Sequence, residues 1–104
     1  MLPARTRHDV LTRLQARAGE IRALGVVRLG LFGSFVRDEA GPASDVDLLV
    51  DFAPGEKSFD RFLDLAELLD RNLGRTVELL TREGLSAHIG PKILREVEDV
   101  PLGN

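Results

Sequence analysis

Residues 26–52 read VVRLGLFGSFVRDEAGPASDVDLLVDF, and this stretch decides the fold. Asp45 to Phe52 alternates with period 2. Val46, Leu48, Val50 and Phe52 point one way; Asp45, Asp47, Leu49 and Asp51 point the other. That pattern predicts a strand with one apolar face and one face rich in acids. Val26 to Phe32 is β-rich and alternates in part, which predicts an earlier strand. Gly33-Ser34 breaks it, Ser34 to Glu39 predicts a short helix, and Ala40-Gly41-Pro42-Ala43 a turn.

Upstream, Arg7 to Leu24 reads as one helix: Val10, Leu14, Ala18, Ile21 and Leu24 recur at a 3.6 period. Thr6-x-x-Asp9 forms a capping box at its start, and Gly25 suits its end. Downstream, residues 53–57 read as a loop. Phe59 to Leu73 reads as an amphipathic helix ended by Gly74, and Thr76 to Leu80 as a third strand. A last helix covers part of Ser86 to Val97, with Pro91 either starting or kinking it. This order predicts an α/β (α+β) fold, a small mixed β-sheet of three to four strands with helices packed on it.

At 104 residues and 43% hydrophobic content, the sequence predicts one folded domain over residues 1–104. The 14 basic and 17 acidic residues leave a net charge of −3, so general nucleic-acid coating is not expected. Cysteine is absent, which removes disulfide frameworks and Cys-ligated metals. His8 and His88 are too few and too separated for a His-based metal site, and both read as surface residues. No apolar run approaches the roughly 20 residues that span a bilayer, and no signal peptide precedes the first helix. A cytoplasmic protein without membrane association is expected. Charge is uneven: six Arg and two acids in residues 1–28 face three basic and eight acidic groups in residues 29–64. The acidic middle is where cation binding is sought, although solvated faces give the same composition.

Asp45 and Asp47 lie two apart on a strand, hence on one face and roughly 6–7 Å apart along it. Like charges that close repel unless a proton or a cation intervenes, and oxygen donors suit hard cations such as Mg²⁺. The same pair also fits two solvent-facing aspartates. Gly33-Ser34 sits where a strand gives way to a helix, a place where backbone N–H groups and a serine hydroxyl cradle phosphate. The combination is Gly-Ser, ten intervening residues, then Asp-x-Asp. Arg37, three residues after Ser34, either reaches phosphate or pairs with Asp38, Glu39 or a site carboxylate. Ser44 reads as a turn residue, and Asp51, roughly 13 Å along the strand from Asp47, as a solvated or structural acid. All five phenylalanines (32, 35, 52, 59 and 62) read as core.

With LFGSFVRDEA, SDVDLLVDF and TVELLT in place, the sequence resembles the minimal nucleotidyltransferases of the DNA polymerase β superfamily over roughly residues 8–100. The resemblance implies the nucleotidyltransferase fold. It implies Asp45, Asp47 and Glu78 as catalytic, metal-holding carboxylates, and Gly33, Ser34 and Arg37 as the nucleotide-binding group. It implies ATP as substrate and two Mg²⁺ ions in the active complex. Glu78 departs from the aspartate usual at the third position, reaching one methylene further. The minimal family works beside a small all-helical HEPN-type protein encoded nearby, as the antitoxin that adds AMP to a partner hydroxyl. With no acceptor-gripping domain expected, either such a partner or a homo-oligomer completes the site. Against this enzyme stands a binding module that neutralises its partner by contact. Transfer to a small molecule fits less well.

Overall fold

The computed structural model describes residues 2–103. Its sheet has four strands: β1 (Val26–Phe32), β2 (Val46–Phe52), β3 (Val77–Thr81) and β4 (Glu98–Asp99). The order is β3-β2-β1-β4, with β1 antiparallel to both β2 and β4, and β2 parallel to β3. The sheet is therefore mixed, as the element order predicts. The parallel pair needs a crossover, and α3 (Phe59–Leu73) supplies it.

The alternation of β2 sets the two layers. Val46, Leu48 and Val50 enter the main core with Val10, Leu14, Ile21, Leu65, Leu69 and Leu73 from the helices. Leu49, on the opposite face, joins Phe32 and Ile93 in a smaller cluster under α4 (Gly90–Glu96). The acids of β2 share that second face. The partial alternation of β1 has a cause: its register with β2 shifts between Val26 and Arg28.

The helix starts are those the residues predict. The Thr6 hydroxyl accepts from the Asp9 amide at 3.0 Å, and Asp9 accepts in return from the Thr6 amide at 3.3 Å. Ser58 Oγ accepts from the Arg61 amide at 3.1 Å to open α3, and Gly74, in the left-handed region, closes it. Pro91 starts α4 rather than kinking it.

Three expectations change. The first helix is two, α1 (Arg7–Ala16) and α2 (Ala18–Ala23), because the chain leaves helical geometry at Arg17 (φ −109°, ψ 15°). Gly19, two residues on, weakens the helix there. The helix expected over Ser34–Glu39 is a 3₁₀ turn at Gly33–Phe35 running into a bend, with Asp38 left-handed at φ 58°. Phe59 is 75% exposed: with Leu63, one turn on, it forms a stripe beside the buried face of α3. The sheet itself has the upper number of strands expected, and the fourth is two residues long, too short for any alternation to place it.

What places β4 is the pairing of Gly30 with Asp99 and Leu31 with Glu98. Arg28 fixes it further, donating to both Asp99 oxygens at 2.9 and 3.2 Å. Gly30 is glycine because Val97 packs on it: a Cβ there would lie 2.4 Å from Val97 Cγ2.

Leu48 is fully buried at the centre of the sheet. Leu48→Ala is expected to cost about 2–5 kcal/mol in denaturant unfolding. Leu63→Ala, at a half-exposed position, is expected to change stability by no more than about 0.5 kcal/mol. Equal losses would show that the core assignment is wrong.

Candidate functional site

The candidate residues meet at one edge of the second face. Phe32, the last residue of β1, pairs with Asp47, and Asp47 in turn pairs with Glu78 across the parallel β2–β3 ladder. Three neighbouring strands thus bring the glycine turn, the Asp-x-Asp and the third carboxylate side by side.

Gly33 follows Phe32 directly. It is buried and has φ +78°, and a Cβ built on it would lie 2.1 Å from Asp47 Oδ2. Two separate constraints therefore require glycine here. The left-handed backbone disfavours any side chain, and the Asp47 carboxylate occupies the space one would need. The Gly-Ser and Asp-x-Asp motifs, separated by ten residues, are in van der Waals contact.

Asp47 is half-buried, while Asp45 and Glu78 are exposed. The Asp47 carboxyl is pushed up from 3.8 to about 6. Burial contributes most, then a hydrogen bond shared with Glu78, then the charges of Glu78 and Asp45; Arg37 opposes them. The edge is thus short of positive charge. No three or more His, Cys, Asp or Glu side chains among the described residues are arranged as a set able to hold a metal ion by themselves. Mg²⁺ seldom relies on such an all-protein set; it takes one or two carboxylates and completes its shell with water and substrate phosphate. The carboxylate oxygens here fit that demand, because a cation relieves the crowding that raises the Asp47 pKa.

The Gly33-Ser34 side is built differently from the helix N-terminus expected there. The Gly33 amide donates to Glu96 Oε1 at 3.0 Å. Arg37 Nη1 donates to Glu96 Oε1 and Oε2 at 3.0 and 2.9 Å, and Arg37 Nε donates to Glu39 Oε1 at 2.8 Å. Of the pairings open to Arg37, Glu39 is made and Asp38 is not, and Glu96 was not foreseen. Ser34 is half-buried, and its carbonyl accepts from the Glu39 amide at 2.9 Å.

The loop carrying Asp45 is held by two residues. Ser44 Oγ accepts from the Gly41 amide at 2.8 Å, the turn role expected of it. Arg75, which the sequence did not single out, donates from Nη1 to the carbonyls of Gly41, Pro42 and Ser44 at 3.1, 3.3 and 2.8 Å. Its Nε donates to the Ala4 carbonyl, and its guanidinium lies 5.1 Å from the centre of the Phe35 ring. Arg75 therefore ties the N-terminal segment, the turn after Ser34 and the approach to Asp45 together. Asp51 pairs with Arg82, 3.0 Å between Oδ2 and Nη2, and is structural. His8 and His88 are exposed.

A mixed sheet that carries a Gly-Ser turn against paired carboxylates is the architecture of a minimal nucleotidyltransferase. The family model described as a nucleotidyltransferase domain matches residues 11–100, and the chain belongs to that family. Among relatives, it is 41% identical over 93 residues to the protein adenylyltransferase MntA of Thermococcus cleftensis, covering 88% of this chain and 93% of that protein. Among solved structures, one described as a candidate minimal nucleotidyltransferase superposes with a TM-score of 0.69 at 34% identity, covering 85% of this chain and 93% of that one. A toxin–antitoxin crystal structure containing AMP-PNP shares the fold, with a TM-score of 0.63 at 20% identity over 81% of this chain and 72% of that one. So does a complex of a tri-AMPylated Shewanella oneidensis HEPN toxin with its MNT antitoxin, with a TM-score of 0.55 at 19% identity over 84% of this chain and 71% of that one. No helix among the described residues is long and apolar enough to cross a membrane.

The raised Asp47 pKa has a consequence for metal-free stability. The folded form holds its proton to about pH 6, whereas the unfolded chain releases it near 3.8. Stability from this group is full below that lower value and is lost as pH rises toward 6. Asp47→Asn is expected to stabilise the metal-free protein at pH 7, with the gain shrinking toward pH 4. Thermal melts across that range, with a chelator present, read it. A loss of stability at pH 7 would instead show that Asp47 is held by a favourable contact.

Proposed function

We propose that this chain transfers AMP from ATP, with Mg²⁺, to a hydroxyl of a small helical HEPN-type partner, as the antitoxin of that pair. The observation that carries the reading is the register that lines up Phe32, Asp47 and Glu78 on adjoining strands and so sets Gly33 against Asp47. The relatives support it: one is a protein adenylyltransferase at 41% identity, and toxin–antitoxin complexes share the fold.

In this reading the Ser34 hydroxyl and the Arg37 guanidinium hold the terminal phosphates of ATP. Asp45 and Asp47 are the residues that would hold Mg²⁺, with Glu78 beside them. Bound there, the metal supplies the charge that neutralises the triphosphate and acidifies the acceptor hydroxyl. Glu78, exposed and in register with Asp47, accepts a hydrogen bond from that hydroxyl and orients it at the α-phosphorus. The new bond joins the acceptor oxygen to the α-phosphorus; the bond from the α-phosphorus to the bridging oxygen breaks, and pyrophosphate leaves. The hydroxyl proton passes through the carboxylates to water.

The test uses ATP labelled at the α-phosphate, Mg²⁺ and the protein encoded beside this one. Label is expected on the partner. Asp45→Asn is expected to abolish transfer. Ser34→Ala is expected to slow it by an amount equivalent to about 1–3 kcal/mol, the usual loss of one donor to a charged acceptor. Glu78→Gln is expected to bind ATP yet fail to transfer, and Glu78→Asp to transfer. If no label moves while wild type and Asp45→Asn both still suppress the partner, the chain acts by contact and the enzymatic reading falls.

A further inference from the structure

Glu96 is the last residue of α4, remote in sequence from every motif residue. Its carboxylate nevertheless makes three hydrogen bonds to the turn that the proposed function assigns to the nucleotide: one from the Gly33 amide and two from Arg37 Nη1. Its side chain is 20% exposed. Burial works against its charge, but the Gly33 amide and the Arg37 guanidinium outweigh burial and hold its pKa below the ordinary value.

Two consequences follow for the turn. The Gly33 amide is a buried donor at a residue whose left-handed backbone sets where Ser34 begins. With Glu96 as its acceptor it is satisfied without leaving that geometry. Arg37, in turn, is held on two of its three nitrogens, by Glu39 at Nε and Glu96 at Nη1. Among the described residues Nη2 has no protein acceptor, so its two N–H donors stay available. An exposed arginine ordinarily gives up considerable rotamer entropy when it binds an anion. Here two carboxylates have already ordered it, within the electrostatic reach of Asp47.

We propose that Glu96 is a positioning residue for the nucleotide: it fixes the Gly33 turn and orients Arg37 so that Nη2 meets a phosphate of ATP. This rests on the nucleotidyl-transfer reading above and deepens it. The opposite arrangement is a carboxylate standing where a phosphate must go, since an amide and a guanidinium also suit a phosphate oxygen. The two arrangements differ in sign. A positioning carboxylate aids ATP binding, whereas a stand-in competes with it.

The experiment has two arms. In nucleotide-free protein, Glu96→Gln is expected to speed hydrogen exchange at the Gly33 amide and to broaden the Arg37 Nε–H signal by NMR, with the rest of the spectrum retained. In equilibrium binding with Mg²⁺ and ATP, Glu96→Gln is expected to weaken affinity about tenfold, the scale of one charge-assisted contact. Arg37→Gln combined with Glu96→Gln is expected to lose less affinity than the two single losses together, because part of the Glu96 effect runs through Arg37. Unchanged Gly33 and Arg37 signals overturn the proposal, as does tighter ATP binding by Glu96→Gln. Additive losses in the double variant also overturn it. A wild type that binds no ATP overturns the proposed function, while the nucleotide-free arm still decides whether Glu96 orders the turn.

Discussion

Everything at the candidate site depends on the Asp47 carboxylate lying against a Cα that carries no side chain. Gly33 meets that demand twice, through its φ of +78° and through the 2.1 Å that would separate a Cβ from Asp47 Oδ2. The contact fixes more than a local turn. Phe32 pairs with Asp47 as the last residue of β1, and the chain leaves the strand in a left-handed sense at the next residue. The loop to Asp45 then has ten residues in which to return, and Arg75 and Ser44 hold that loop by its backbone. A larger residue at position 33 would have to move either the strand register or the carboxylate, and the register is locked by the buried face of β2. The carboxylate would be displaced, and with it the proposed metal site.

The same placement costs the protein electrostatically. Asp47 is half-buried beside Glu78 and Asp45, and its pKa near 6 records how poorly its charge is tolerated there. The protein answers on the other side of the turn. Arg37 opposes the accumulated charge, and Glu39 and Glu96 bind Arg37. The result alternates in sign outward from Asp47, with carboxylates at the strand edge, a guanidinium next, and further carboxylates behind it. Such a site is better suited to taking up a cation together with a polyanion than to either alone, since each neutralises what the other would leave exposed. A magnesium–triphosphate complex, the substrate form of the proposed function, has that charge balance.

How much of this was legible follows from the range of the interaction. The face assignment of β2, the Thr6 and Ser58 caps and the end of α3 at Gly74 all depend on residues a few positions apart, and the sequence displays them. The adjacency of Gly33 and Asp47 was legible only through the spacing of the two motifs, because the contact needs the β1–β2 register. The break at Arg17 and the bend after Phe35 were misread, since apolar spacing carries no information on where a helix loses its backbone geometry. Phe59 was misread as core because period alone does not say where the buried face of α3 ends. Arg75, Glu96 and β4 had no signal. Arg75 binds carbonyls, which every residue possesses. Glu96 lies 63 residues from the amide it accepts from. β4 exists by pairing with β1 rather than by any pattern of its own.

Glu78 shows where backbone control ends and side-chain chemistry begins. The pairing of Asp47 with Glu78 is a property of the β2–β3 ladder, set by Leu48 opposite Leu79 and Leu49 opposite Leu80 on the same strands. Those apolar pairs hold the Cα of position 78 in place whichever acid occupies it. Glutamate and aspartate at this position therefore present the same charge from the same point and differ only in reach and in one more rotatable bond. Because Glu78 is exposed, the longer arm meets no packing penalty and leaves the core untouched. Its carboxylate still bears on Asp47, whose pKa it raises by hydrogen bond and by charge. The backbone register accommodates either acid; under the proposed function, a methylene's difference in reach bears on the contact with Asp47 and on the alignment of the acceptor hydroxyl.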